Sequence, residues 1–140
     1  MRTPAYRRLL LAAMISAAPV QAQAVPDQLR PTLVFFDWGK PEINGDAAAL
    51  LDAVAAAHAQ RPNARLLLSG HSDRSGPPAH NLRSGKRRAD AVRDYLAARG
   101  VPSAAMSTTS FGEERPIIAT EDGVREAQNR RVEIRFGTAE

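Results

Sequence analysis

The sequence predicts an α/β chain folded as an α+β two-layer sandwich, with elements in the order β-α-β-α-β-β and helices packed on one face of a mixed sheet. Three observations carry this. Two short apolar runs, Leu33-Val34-Phe35-Phe36 and Arg65-Leu66-Leu67-Leu68-Ser69-Gly70, have the length and residue types of buried strands. Two longer segments repeat apolar residues at helical spacing. Near the end, Arg131-Val132-Glu133-Ile134-Arg135-Phe136 alternates polar and apolar residues, as a strand with one buried face does. Elements of this kind bury their apolar faces by stacking in layers around one core.

The first strand spans 33–36, and Gly39, Pro41, Asn44 and Gly45 break the pattern behind it. From about Asp46 to Gln60 an alanine-rich helix is expected, with Leu50, Leu51, Val54 and Ala57 at helical spacing and Arg61-Pro62-Asn63 as its stop. After the second strand, residues 71–81 contain Gly76-Pro77-Pro78 and read as a loop without regular structure. The second helix is expected from about Gly85 to Arg99, with Ala89, Val92, Tyr95 and Leu96 on one face. Gly100 is placed to close it in a left-handed conformation. Met106 to Ser110 gives a weaker third strand, followed by Gly112 and Pro116, and no internal repeat is visible.

A chain of 140 residues has room for one domain and a targeting sequence. The net charge of +4 does not point to nucleic acid. Arg2, Arg7 and Arg8 lie in a leading stretch without any acid, and beyond it bases and acids nearly balance. That stretch reads as an export signal over residues 1–24. Its arginines form the charged region, Leu9 to Ala18 form the apolar region, and Ala22-Gln23-Ala24 provides cleavage sites after Ala24 or Ala22. The apolar run is too short to cross a bilayer, and no other segment reads as a span. Residues 25–32 are then a flexible lead-in and 33–137 the folded domain, expected outside the cytoplasm. The absence of cysteine excludes disulfides, thiolate chemistry, cysteine-held metal and the lipid-bearing cysteine of a lipoprotein.

The densest chemistry lies between the second strand and second helix. Gly70-His71-Ser72-Asp73 leaves the strand, the chain passes Gly76 and Asn81, and Arg88 stands on the helix. If the turn returns the strand end to the helix, Asp73 can accept from an ammonium while Arg88 grips a carboxylate with two parallel bonds. The pair is equally readable as a structural ion bridge between loop and helix.

Several motifs in order resemble the OmpA-like peptidoglycan-binding domain. They are Phe36-Asp37, Gly70-His71-Ser72-Asp73, Gly76, Asn81, Arg88-Ala89, Phe111-Gly112-Glu113 with Pro116, and Asn129-Arg130-Arg131-Val132-Glu133-Ile134. The resemblance covers about Leu33 to Phe136. It implies a periplasmic or outer-membrane-associated envelope protein whose partner is peptidoglycan, recognised at the diaminopimelate residue of the stem peptide without catalysis. It assigns Asp73 to the ligand's ammonium and Arg88 to its carboxylate, with Asn81, the Asn129/Arg130 region and Asp37 lining the pocket. Ser72 departs from the family's threonine, His80 from a common tyrosine, and Ser84 from a leucine, which would cost the second helix one buried anchor. An adaptor that holds another envelope protein through the same fold is the alternative.

Other readings are weaker. His71, Asp73 and His80 lack the spacing of a metal face, so no metal or cofactor is expected. Arg83, Lys86, Arg87 and Arg93 are interrupted by Asp90 and Asp94 and have no aromatic platform, which suits a solvated helix face rather than a nucleic-acid contact. Glu113-Glu114 are adjacent and expected in solvent. Neither they, Asp37 nor Asp73 form the opposed carboxylate pair of a glycan hydrolase.

Overall fold

The computed structural model describes residues 30–137, so the export-signal reading and most of the lead-in lie outside the described residues. Within them run β1 (Thr32–Phe35), α1 (Gly45–Gln60), β2 (Arg65–His71), α2 (Pro78–Ala98), β3 (Met106–Gly112) and β4 (Arg131–Gly137). Short 3-10 turns stand at Ser103–Ala105 and Ala127–Asn129.

The sheet order is β1-β4-β2-β3. β4 lies antiparallel to both β1 and β2, while β2 and β3 are parallel, as the crossover through α2 requires. The alternation of β4 sets which residues face the helices. Val132 pairs with Val34 and Ile134 with Leu68, and all four are buried. Between them, Glu133 and Arg135 point to the opposite face, next to Leu33 and Leu67. Leu51 and Val54 of α1 join Val92 and Leu96 of α2 over the same sheet residues, so both helices cover one face.

Local chemistry fixes the helix ends. The Asn44 side chain accepts from the Ala47 amide at 2.8 Å and caps α1. At the end of α2 the Val101 amide reaches the Leu96 carbonyl and the Gly100 amide the Ala97 carbonyl, while Gly100 takes φ +95°. This is the Schellman closure expected of Gly100, with Leu96 and Val101 buried together.

Four expectations change. The second helix starts at Pro78 rather than about Gly85, so residues 78–81 are helical and not loop, and His71 still belongs to β2. Pro77-Pro78 reads as a breaker in the sequence, yet a proline at the first helical position has no amide to lose and a backbone angle already suited to helix. In α1, Leu50 is exposed, and the buried place one turn beyond Val54 is taken by His58, whose Nε2 meets the Ala64 carbonyl at 3.0 Å. Ser84 is half-buried beside a cavity, so no apolar anchor is missing there. Thr32, assigned to the lead-in, begins β1.

Candidate functional site

The early start of α2 builds the site. Asn81, Gly85 and Arg88 follow one another at four and three residues, so they share one face of the helix, turned toward the exit of β2. Gly70 and Gly85 let helix and sheet meet backbone to backbone: a Cβ on Gly70 would lie 1.8 Å from the Gly85 carbonyl oxygen, and one on Gly85 2.3 Å from Ser110 Oγ. The close approach brings Arg88 under the loop that leaves β2.

A cavity of about 300 Å³ opens at this junction. Ser72, Asp73 and Ser75 of the β2 exit and Asn81, Ser84 and Arg88 of α2 line its depth. Trp38, Gly39, His80 and Arg130 complete its walls. Asp73 and Arg88 therefore converge on one space without a direct ion bridge between them.

Asp73 is buried and held by four donors. Its Oδ1 accepts from the amide and hydroxyl of Ser75, and its Oδ2 from the Glu126 amide at 3.2 Å and Arg130 Nη1 at 3.0 Å. Burial works to raise its pKa, but these bonds outweigh it and hold the carboxyl below the usual carboxylate range. Arg130 is thus the ion partner of Asp73.

Arg88 is in the opposite situation. The residue is 2% exposed, and among the described residues no carboxylate pairs with it. Nη1 donates to the His71 carbonyl at 3.1 Å, Nη2 reaches the Asp37 carbonyl at 3.4 Å, and Nε has no partner among the described residues. The guanidinium lies 5.7 Å from the centre of the Phe36 ring. Burial, with Arg130 adding to it and Asp73 opposing, pulls its pKa down to about 10, so it stays charged at neutral pH. Two guanidinium groups against one carboxylate leave the cavity in want of an anion.

The remaining expected residues separate. Asn81 lines the cavity and donates from Nδ2 to the Gly76 carbonyl at 2.8 Å and to Glu113 Oε2 at 2.9 Å. Glu113 is therefore half-buried rather than free in solvent. Asp37 offers the site its carbonyl; its side chain is exposed along a neighbouring groove with Phe35, Asn44 and Gln128. Asn129 is fully buried and serves the fold: its Oδ1 accepts from the amides of Ile117 and Ile118, and its Nδ2 donates to the Ile118 carbonyl. Trp38 and Ser75 were not singled out from the sequence, and a lone tryptophan or serine in a turn gives no periodic or charge signal to find it by.

His71 stands behind the cavity. Its ring is buried, stacks on Phe111 at 5.5 Å between centroids, and has no hydrogen-bond partner among the described residues at either nitrogen. Glu133 lies 4.0 Å away, in an ion pair with Arg131. Burial first and Arg131 second, opposed by Glu133, depress its pKa to about 4. A histidine that titrates lower in the folded chain than in the unfolded one contributes stability that is whole above about pH 6.5 and declines as the pH falls toward 4. We expect the urea midpoint to drop across that window and His71→Phe to flatten the drop. A variant with the wild-type profile would assign the acid sensitivity to other groups.

The chain matches the family model described as the OmpA family over residues 35–130. It is 38% identical over 109 residues to a peptidoglycan-associated lipoprotein of Haemophilus influenzae, covering 78% of this chain and 71% of that protein. It is 42% identical to one of Rhizobium meliloti, covering 76% of this chain and 60% of that protein. Among solved structures, the peptidoglycan-associated lipoprotein from Burkholderia pseudomallei superposes with a TM-score of 0.70 at 33% identity, over 75% of this chain and 89% of that one. The C-terminal domain of Helicobacter pylori MotB shares the fold, with a TM-score of 0.68 at 23% identity, over 76% and 84%.

Proposed function

The chain belongs to the OmpA family, and from that premise we propose that it binds the peptide stems of peptidoglycan without cleaving them, tethering itself or a partner to the wall within the bacterial envelope. The observation that carries the reading is Arg88, a buried guanidinium with no carboxylate partner among the described residues, facing a cavity whose far side holds an ionised Asp73. An amino-acid head group answers both charges. Its carboxylate takes the free donor capacity of Arg88, and its ammonium enters beside Asp73 Oδ1 in place of the Ser75 hydroxyl. The diaminopimelate residue carries such a head group at the end of its side chain, where a stem peptide leaves it free. In this reading Arg130 keeps Asp73 charged, Asn81 fixes the cavity wall, and Asp37 contributes its carbonyl. The names of the relatives speak of association with peptidoglycan.

The protein is expected to pellet with purified diaminopimelate-type sacculi and to be released by the soluble tripeptide L-Ala-γ-D-Glu-meso-diaminopimelate. The same tripeptide ending in lysine, which lacks the second carboxylate, is expected to leave it in the pellet. Equal release by both peptides would sink the assignment of Arg88, and soluble wall fragments in the supernatant would show cleavage.

A further inference from the structure

Among the described residues, Trp38 is the sole apolar side chain lining the cavity; the others are serine, aspartate, histidine, asparagine or arginine, and Gly39 has none. It is also tied in place. Its Nε1 donates to Ser75 Oγ at 3.0 Å, and that hydroxyl donates in turn to Asp73. The Arg125 guanidinium lies 3.5 Å from the ring centre and covers one face, and the next residue, Glu126, gives its amide to Asp73. Loops from three parts of the chain thus meet at the indole.

We propose that Trp38 is a specificity-determining residue of the site, resting on the stem-peptide reading above: its ring walls the hydrocarbon chain between the ligand's charged head group and the peptide. A ligand with a carboxylate and an ammonium at one end carries methylene groups behind them, and polar walls offer these nothing to pack against. The indole is rigid and half-exposed, with one face pinned by Arg125, so packing on it costs little side-chain freedom. Through Ser75 it is coupled to the ammonium position as well. When the ammonium displaces the Ser75 hydroxyl from Asp73, the Trp38 hydrogen bond is disturbed in the same event. The indole therefore senses occupancy.

Trp38 is the chain's single tryptophan, so its fluorescence reports on the cavity alone. Titrating the full chain with the diaminopimelate tripeptide is expected to change the emission saturably, with the same Kd as calorimetry. Trp38→Ala is expected to weaken calorimetric binding about tenfold, the effect of losing the wall along about two methylene groups. Trp38→Phe, which keeps a ring but loses the N–H, is expected to recover most of that loss. Unchanged affinity in Trp38→Ala, or Trp38→Phe no better than Trp38→Ala, would overturn the wall while leaving the stem-peptide reading intact. A wild-type chain that binds no tripeptide by calorimetry would overturn both.

Discussion

Arg88→Ala is expected to reduce binding of the diaminopimelate tripeptide at least about 100-fold and to abolish pelleting with sacculi. Two charge-assisted bonds to a ligand carboxylate contribute roughly 1.5–3 kcal/mol each, and a hundredfold loss needs only about 2.8 kcal/mol. The control is stability. Arg88 bonds the carbonyls of His71 and Asp37, so its removal also loosens the end of β2 and the loop after β1. Arg88→Lys separates the effects, because it keeps a cation in the cavity but cannot form two parallel bonds. We expect Arg88→Lys to fold normally by urea denaturation and still bind at least tenfold more weakly by calorimetry. Full binding by either variant would remove the ligand role of Arg88.

A second large effect is expected from a single methyl group. Gly70→Ala places a Cβ 1.8 Å from a backbone oxygen of α2, which no side-chain rotation can relieve. Helix and sheet must separate, at a cost of about 3 kcal/mol or more, a large part of the 5–15 kcal/mol that holds a domain together. The urea midpoint should fall accordingly, and the cavity should fail with it, because Arg88 rides on the displaced helix. Gly45→Ala is the matching control: a Cβ there meets nothing within 4 Å at the start of α1, and its stability should be unchanged or slightly raised. A Gly70→Ala protein as stable as wild type would mean that the helix slides freely on the sheet.

These two positions also show what could be read from the sequence and what could not. Every strand and both helices were legible, because apolar spacing in β4 and in α2 beyond Gly85 reports burial directly. The convergence of Asp73 and Arg88 was legible through motif order. What escaped was about the first two turns of α2, where Pro77-Pro78 signals a stop and a start with the same letters. With those turns went the helical placement of Asn81 and the exposure of Ser84 to the cavity. The pairing of Asp73 with Arg130 escaped for another reason. The two are 57 residues apart, and only the β4 register carries Arg130 to the β2 exit. Leu50 misled because helical spacing admits two adjacent leucines, and only the position of the sheet decides that Leu51 is the buried one.

The register of β1 bears on how a tether carries load. Thr32 pairs with Ile134 at one end of the strand, and at the other Phe36 donates to the Arg130 carbonyl beside the cavity. Tension applied between residue 30 and the cavity would run lengthwise along β1. The hydrogen bonds between β1 and β4 then strain together in shear rather than opening one after another like a zip. Four residues of edge strand then resist tension collectively.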